Sequence, residues 1–470
     1  MDAIASLNSI CNKIGVSMIK SGGNAANAIS MASTGLGGGG IALIKSSDGS
    51  YENVDFRETT LAAAFENMYN SNYNMSLFGS LANGIPKELR ELEYIHQRYS
   101  RLSWQELIAP SINLARRGFP VNQDLVNMMK EISDPKFLLE DQGWSVDFAP
   151  NSTLLGVGNT ITRKRLANLL ERISKEGADA FYAGEVAKAT IAALQAANGT
   201  MTMKDLKDYS VVSQPTLAIT YRDYKIISSG APTSGSIVLS VMKTIEGYGS
   251  MANLEFLELS THRFVEAMRF GYGLRTQLGD PLFMDNITMF EKSIITKLMA
   301  SRTRSKISDA TSQPISSYDP LGIESLETHG TSHIVAADAS GMAISLTSSI
   351  NVLFGSRLIV PETGLILNNE MNDFSVPGFR RKRPQLSMSL VIVETSEGSF
   401  YFALGGVSGS YIITAVLQCL WNVLDRNMSL SQALEEPRFH DQLILNIINF
   451  EHSYNNDTTM STAQRLHHIG

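Results

Sequence analysis

Cysteine is almost missing from this chain. Only Cys11 and Cys419 occur among 470 residues, which excludes a disulfide framework and a cysteine-ligated metal site. Whether those two could bridge one another is open at this level. Long apolar runs are missing as well: no stretch of eighteen uncharged apolar residues occurs, so no transmembrane helix is expected. The first residues, MDAIASLNSICNKIGVSMIK, lack the basic flank, apolar stretch and small-residue cleavage site of a signal peptide. Excess positive charge is the third absence. With 39 Lys plus Arg against 46 Asp plus Glu, the formal net charge is −7, which opposes a nucleic-acid partner held by phosphate neutralisation. The one basic run, Arg380-Arg381-Lys382-Arg383, reads as a solvated turn beside Pro384.

What is present is a globular composition. A hydrophobic fraction of 43% with 18% charged residues excludes disorder and collagen, and the length allows one large core or two or three ordinary ones. Six N-x-Ser/Thr sequons, at Asn74, Asn151, Asn198, Asn286, Asn427 and Asn456, suit a secretory compartment.

Periodicity divides the chain. Residues 12 to 32 carry small apolar residues at helical spacing. The following GGGGIALIKSSDGSYENVDFRETT reads as a hairpin with Arg57 on its return strand. Residues 85 to 130 and 160 to 200 have a period near 3.6 and form a helical covering layer. A strand pair is expected over 215 to 230, then the loop APTSGS and helices to about residue 305. Residues 303 to 330 are polar and rich in Ser, Thr, Asp and Pro, the composition of an exposed loop. From Thr331 the pattern switches to short strands, SHIVAAD, MAISLTSS, SLVIVET and SFYFALGG, followed by helices at ITAVLQCLWNVL and SLSQALEEP. Strands on both sides of the polar loop, with helices before and after, imply two packed sheets between helical layers: a four-layer αββα arrangement of the α/β class.

The segment Gly330-Thr331-Ser332-His333 is the candidate for chemistry. A hydroxyl needs a nearby base to attack a carbonyl, and a threonine at a chain's N-terminus carries one in its own α-amine, of pKa about 7.7 to 8.0. Thr331 would acquire that amine by cleavage after Gly330. Taken alone, Gly-Thr-Ser-His before a strand is ordinary turn chemistry. The Gly35 to Gly40 run lacks the Lys-Ser/Thr of a phosphate loop and precedes a strand, so close backbone packing explains it better. His333 lies too near Thr331 in sequence to complete a triad and reads as structural.

The order of motifs is more specific. SGGNAANA, GLGGGG, DFRET, SWQELIAPSINLARRGFPV, AFYAGEVAKA, DLKDYSVV, PTSGS, IEGY, HRFVEAMRFGYGLRTQLGDP, GTSH, SSINVLFGS, GLILNNEMNDFS and EEPRFH follow one another along the chain. In this order the chain resembles the γ-glutamyltransferase (glutathione hydrolase) family, of N-terminal-nucleophile hydrolase fold. The resemblance implies that Thr331 is the nucleophile and the residue that cleaves the precursor, with Ser349 as a neighbouring hydroxyl and Gly409 and Ser410 as oxyanion donors. It implies that Asn351, Glu370 and Asp373 hold the substrate's α-ammonium, while Arg57 and Ser387 hold its α-carboxylate. No metal or organic cofactor is implied. The expected partners are glutathione and other γ-glutamyl compounds, amino-acid or dipeptide acceptors, and water. The expected assembly is a heterodimer of residues 1–330 and 331–470, interleaved as one unit.

Five departures from the family pattern stand out. Leu386 replaces one of two serines, which is expected to weaken carboxylate binding, and Ser410 replaces a glycine, which is expected to cost freedom at positive φ. Asn27 stands for an aspartate. The chain is about ten residues shorter than expected between SGGNAANA and GLGGGG, and it stops short of the family's usual C-terminus. These leave a catalytically impaired or truncated family member, acting as a non-enzymatic binding or structural protein, as the alternative; an acylase of the same fold acting on a glutaryl group fits Arg57, Glu370 and Asp373 less well.

Overall fold

The second strand of the protein, Gly39–Lys45, buries all seven of its residues and divides them between two cores by simple alternation. Ile41 and Leu43 point one way, Ala42 and Ile44 the other. That pattern runs through a computed structural model that describes residues 2–31, 35–249, 251–322, 330–374 and 383–454.

The larger sheet comprises β1 (Ala3–Ser6), β2 (Gly39–Lys45), β3 (Tyr51–Asp55), β4 (Val212–Gln214), β7 (Ser332–Ala337) and β8 (Ala343–Ser349). The smaller comprises β5 (Thr216–Tyr221), β6 (Tyr224–Ser229), β9 (Val391–Thr395) and β10 (Phe400–Leu404). Their orders are β1-β7-β8-β2-β3-β4 and β10-β9-β6-β5, and every pairing is antiparallel. Strands following Thr331 thus occupy central places in both sheets.

Between the sheets lie Ile41, Leu43, Ile227, Met388, Leu390 and Ile392. The outer face of the larger sheet, through Ala42, Ile44, Val54 and Ile344, meets α1 (Ser9–Lys20), α2 (Ala25–Met31) and α3 (Glu88–Tyr99). The outer face of the smaller sheet, through Ile219, Val391 and Val393, meets α4 (Gly235–Ile245), α5 (Leu257–Arg275) and α6 (Tyr411–Leu424). Burying each such Leu, Ile or Val contributes about 1.5–3 kcal/mol, which is why both faces of these strands are apolar. The four-layer αββα expectation is borne out.

Several local expectations change. The helix expected over 12 to 32 is two helices, because Gly22 turns at φ +98 and a side chain on Gly23 would strike the Met18 carbonyl at 2.7 Å. Arg57 lies two residues past the end of β3, where the chain has left the ladder. The segment from 303 to 330 is not an exposed loop throughout. A short helix, Ile315–Tyr318, packs inward, and the Tyr318 hydroxyl donates to buried Glu266 at 2.7 Å; residues 323–329 lie outside the described residues. Arg383 is not solvated: it is buried and pairs with Asp55 at 3.1 Å, while residues 380–382 of the basic run lie outside the described residues. Cys11 and Cys419 are both free thiols. Among the described residues no helix is long and apolar enough to cross a membrane, and Asn74, Asn151, Asn198, Asn286 and Asn427 are exposed; Asn456 lies outside them.

Antiparallel register gathers the site. Ser349 at the end of β8 pairs with Gly39 at the start of β2, and Ser348 pairs with Ser332 at the start of β7. The end of β3, which leads to Arg57, and the residue before β7, Thr331, therefore reach the same edge of the sheet.

Candidate active site

A cleft of about 240 Å³ opens at this edge, lined by Arg57, Gly330, Thr331, Ser349, Asn351, Asp373, Leu386, Ser387, Met388 and Ile412. Six of the nine candidate residues form its wall, and Glu370 joins them through Arg57.

At one end, Gly330 adopts φ +83, and a side chain there would meet the Asn351 carbonyl at 1.8 Å. Only glycine fits that position without displacing backbone. The Ser349 hydroxyl donates to the Gly330 carbonyl, and Ser349 in turn accepts the Asn351 N–H at 2.7 Å. A hydrogen bond to a carbonyl oxygen polarises it toward attack, and the carbonyl concerned immediately precedes Thr331.

Thr331 accepts a 2.8 Å hydrogen bond at Oγ1 from the N–H of Ser408. Ser408 and Gly409 both have left-handed backbones, φ +79 and +57, and lead directly into α6. Neither the Gly409 nor the Ser410 N–H has an acceptor among the described residues. Donors left open at the start of a fourteen-residue helix form a ready anion cradle, since the helix dipole reinforces them. Ser410 itself has φ −59, so the expected cost of replacing glycine there does not arise: right-handed backbone suits any residue. Its side chain points elsewhere, donating to Gln442 at 2.6 Å.

The other end of the cleft is charged. The Arg57 guanidinium donates to Glu370, lies 3.3 Å from Asp373 and 3.4 Å from Glu58, and is 2% exposed. The cation expected to take a carboxylate is thus clamped by the very acids expected to take an ammonium. Such a clamp presents both signs of charge in one place, and a zwitterion can enter by exchanging partners with both at once. Burial raises the Glu58 carboxyl to about 7, with Arg57 opposing that rise.

Asn351 sits at φ +73 and is held there by the Ser349 hydroxyl and by its own amide, which donates to the Asn369 carbonyl at 3.2 Å. Ser387 accepts from Arg275 at 2.9 Å, and Arg275 also reaches Ser234 at 3.1 Å. The PTSGS loop fixes this segment: Ser234 donates to the Leu386 carbonyl at 2.6 Å and Leu386 donates to the Pro232 carbonyl at 2.8 Å. Leu386 buries its side chain between the sheets. His333 is a half-buried neutral imidazole, its pKa lowered to about 4 by desolvation, with Nδ1 2.9 Å from the Thr347 hydroxyl. It packs under Gly405 and takes no part in the cleft. Asn27 is fully buried and accepts from the N–H groups of Asn24 and Arg101. The glycine run packs backbone on backbone, since side chains on Gly37, Gly38 and Gly40 would strike carbonyls of Ile366, Ser349 and Thr347 within 2.1 Å.

Sequence reasoning missed Ser408, Glu58 and Arg275. Glu58 was in view as part of DFRET, but nothing in the letters told that it would be buried. Ser408 acts through backbone, which no side-chain pattern reports.

Comparison with known proteins adds a separate line. A family model described as gamma-glutamyltranspeptidase matches residues 11–470. The glutathione hydrolase proenzyme of Arthroderma benhamiae is 47% identical, over 100% of this chain and 87% of the relative. The glutathione hydrolase of Aspergillus flavus is 40% identical, over 100% and 83%. Among solved structures, cephalosporin acylase from Bacillus halodurans has a TM-score of 0.84 over 99% of this chain and 88% of that one. Its 19% identity speaks to the fold alone. The γ-glutamyltranspeptidase of Helicobacter pylori has a TM-score of 0.60 at 28% identity, covering 66% of this chain and 93% of that one.

Proposed function

Because this chain belongs to the γ-glutamyltranspeptidase family, we propose that it is a self-processing enzyme that cleaves γ-glutamyl amides such as glutathione through Thr331. The observation that supports this most is a single one: Thr331, its preceding carbonyl already hydrogen-bonded and its hydroxyl facing backbone donors, lies in one cleft with an Arg57–Glu370–Asp373 charge clamp.

Processing begins with attack of Thr331 Oγ1 on the Gly330 carbonyl carbon. The C–N bond to Thr331 breaks, the amide nitrogen takes up a proton to become an amine, and an ester joins Gly330 to Oγ1. Water then hydrolyses the ester, leaving a Gly330 carboxylate and a free Thr331 α-amine. Residues 1–330 and 331–470 become two subunits that remain interleaved, since β7 to β10 are built into sheets shared with the first fragment.

In turnover the new α-amine takes the Oγ1 proton as Oγ1 attacks the γ-carbonyl of the donor. The N–H groups of Gly409 and Ser410 face the oxyanion, while that of Ser408 stays on the nucleophilic oxygen, and one oxyanion donor is worth about 2.7–4 kcal/mol. The amide C–N bond breaks and the leaving amine, cysteinylglycine in the case of glutathione, receives the proton. Water or the amine of an amino acid or dipeptide then attacks the γ-glutamyl ester and restores Thr331. Arg57 and Ser387 hold the α-carboxylate; Glu370, Asp373 and Asn351 hold the α-ammonium. The right-handed φ of Ser410 removes one reason for the non-catalytic alternative.

Intact mass under denaturing conditions tests the reading. The expected result is two fragments, 1–330 and 331–470, the second beginning with Thr331. A chain that stays whole on long incubation would overturn self-processing.

A further inference from the structure

A second cavity, of about 550 Å³, shares no lining residue with the active-site cleft. Its lining includes Thr59, Lys87, Tyr209 and Arg383. Lys87 precedes α3 and is wholly buried, at 0% exposure. Its ammonium donates one hydrogen bond, to the Thr59 hydroxyl at 2.6 Å, and lies 3.7 Å from the centre of the Tyr209 ring. An ammonium has three hydrogens to donate, and no carboxylate among the described residues comes within 4.0 Å of this one. The Tyr209 hydroxyl is buried and has no hydrogen-bond partner among the described residues.

The acids nearby are engaged elsewhere. Asp55 pairs with Arg383 at 3.1 Å, and Asp280 accepts the Arg383 N–H at 2.7 Å. Asp205 accepts from the Thr202 N–H and hydroxyl and from the Ala62 N–H, and Asp208 pairs with Lys204. Glu58, raised to about 7 by burial, carries only part of a charge at neutral pH. A buried cation, an orphan hydroxyl and no free carboxylate together leave a cavity whose unmet need is an acceptor with negative charge.

We propose that this cavity is an oxyanion-binding site, taking a carboxylate or a small inorganic oxyanion on the Lys87 ammonium with the Tyr209 hydroxyl as second donor. The two donors would bind separate oxygens of one ligand, a charge-assisted pair of the kind that recognises carboxylates and sulfate. Occupancy would also hold the proton on Lys87. Burial and the Arg383 charge lower the Lys87 pKa well below its ordinary value, against the opposing pull of Asp55, Glu58 and Asp280. Binding therefore takes up protons, and affinity falls as pH rises. Asp205 and Asp208 at the wall and the Tyr209 phenol face the same space.

The test is titration of the processed protein with sodium sulfate, and separately with sodium acetate, at constant ionic strength. Melting temperature and calorimetry in two buffers of different ionisation heat are the readouts. The expected result is saturable stabilisation with proton uptake, weakened about tenfold or more in K87M and several-fold in Y209F. The Y209F variant removes only a hydroxyl that has no hydrogen-bond partner among the described residues, so it reads the site even where K87M fails to fold. Binding of sulfate alone would assign the site to inorganic oxyanions, and equal binding of acetate to carboxylates. No saturable binding, binding by Y209F as tight as by the native protein, or loss of binding in R57K with none in K87M would overturn the proposal.

Discussion

At one end of the active-site cleft the partners of Thr331 and of its preceding carbonyl among the described residues are neutral: the Ser349 hydroxyl on the Gly330 carbonyl and the Ser408 N–H on Thr331 Oγ1. At the other end Arg57 is gripped by Glu370 and Asp373, all three nearly inaccessible to water. The difference follows from what each end must do. A bond-breaking site needs donors fixed where charge will develop, and backbone amides supply these without titrating or moving. A recognition site for a zwitterion needs both signs of charge, and opposite charges left together in a dry site must neutralise one another until the ligand separates them.

The sharpest break of this comparison is at the neutral end. Thr331→Ala should leave the chain uncut and lower turnover of a γ-glutamyl anilide by about 10⁴-fold or more, read by mass and by release of the aniline. At the charged end, Arg57→Lys should raise KM by roughly 10–100-fold through loss of the planar, two-pronged guanidinium. It should leave self-cleavage intact and kcat within a few-fold, so the two ends separate in one pair of assays.

A smaller effect concerns Glu58, which joins the clamp without lining the cleft. Its folded pKa, about 7, lies above the ordinary carboxylate value. The stability it contributes is therefore present below the unfolded pKa of about 4.3 and is lost as pH rises through about 7. Ionised Glu58 also sets a negative charge 3.4 Å from Arg57, so KM should climb across the same upper range. Glu58→Gln should flatten both profiles, and an unchanged KM profile would remove Glu58 from the clamp. The smallest change is expected from Ser410→Gly. With φ −59 there is no strain to relieve, so kcat should stay within about twofold, while loss of the Gln442 hydrogen bond should cost about 1 kcal/mol of stability in denaturant melts.

The alternation of Ile41, Ala42, Leu43 and Ile44 made β2 legible as a strand buried on both faces, and the switch to period two after Thr331 disclosed strands that lie in both sheets. Motif order placed Thr331, Ser349, Asn351, Asp373, Ser387 and Arg57 in one site, and all six line one cleft. Less was legible where the polarity of a segment misled. Arg383 looked like a solvated charge and is buried against Asp55, and Tyr318 lay in a stretch that looked exposed but packs against Glu266. Charge and polarity describe what a residue prefers when alone; a partner of opposite sign, supplied from far along the chain, reverses the preference.

By itself the sequence determined the class of fold, since side-chain period is a local property of consecutive residues. It also determined which side chains could be nucleophile, cation and acid, since those are fixed by residue type. Only the tertiary structure decided that Arg57 and Glu370, 313 positions apart, bind one another, and that the donor touching Thr331 is the backbone of Ser408. It alone left Lys87 buried with no carboxylate within 4.0 Å among the described residues. Backbone direction, burial and ionic partnership arise when distant segments meet, and no single segment carries that information.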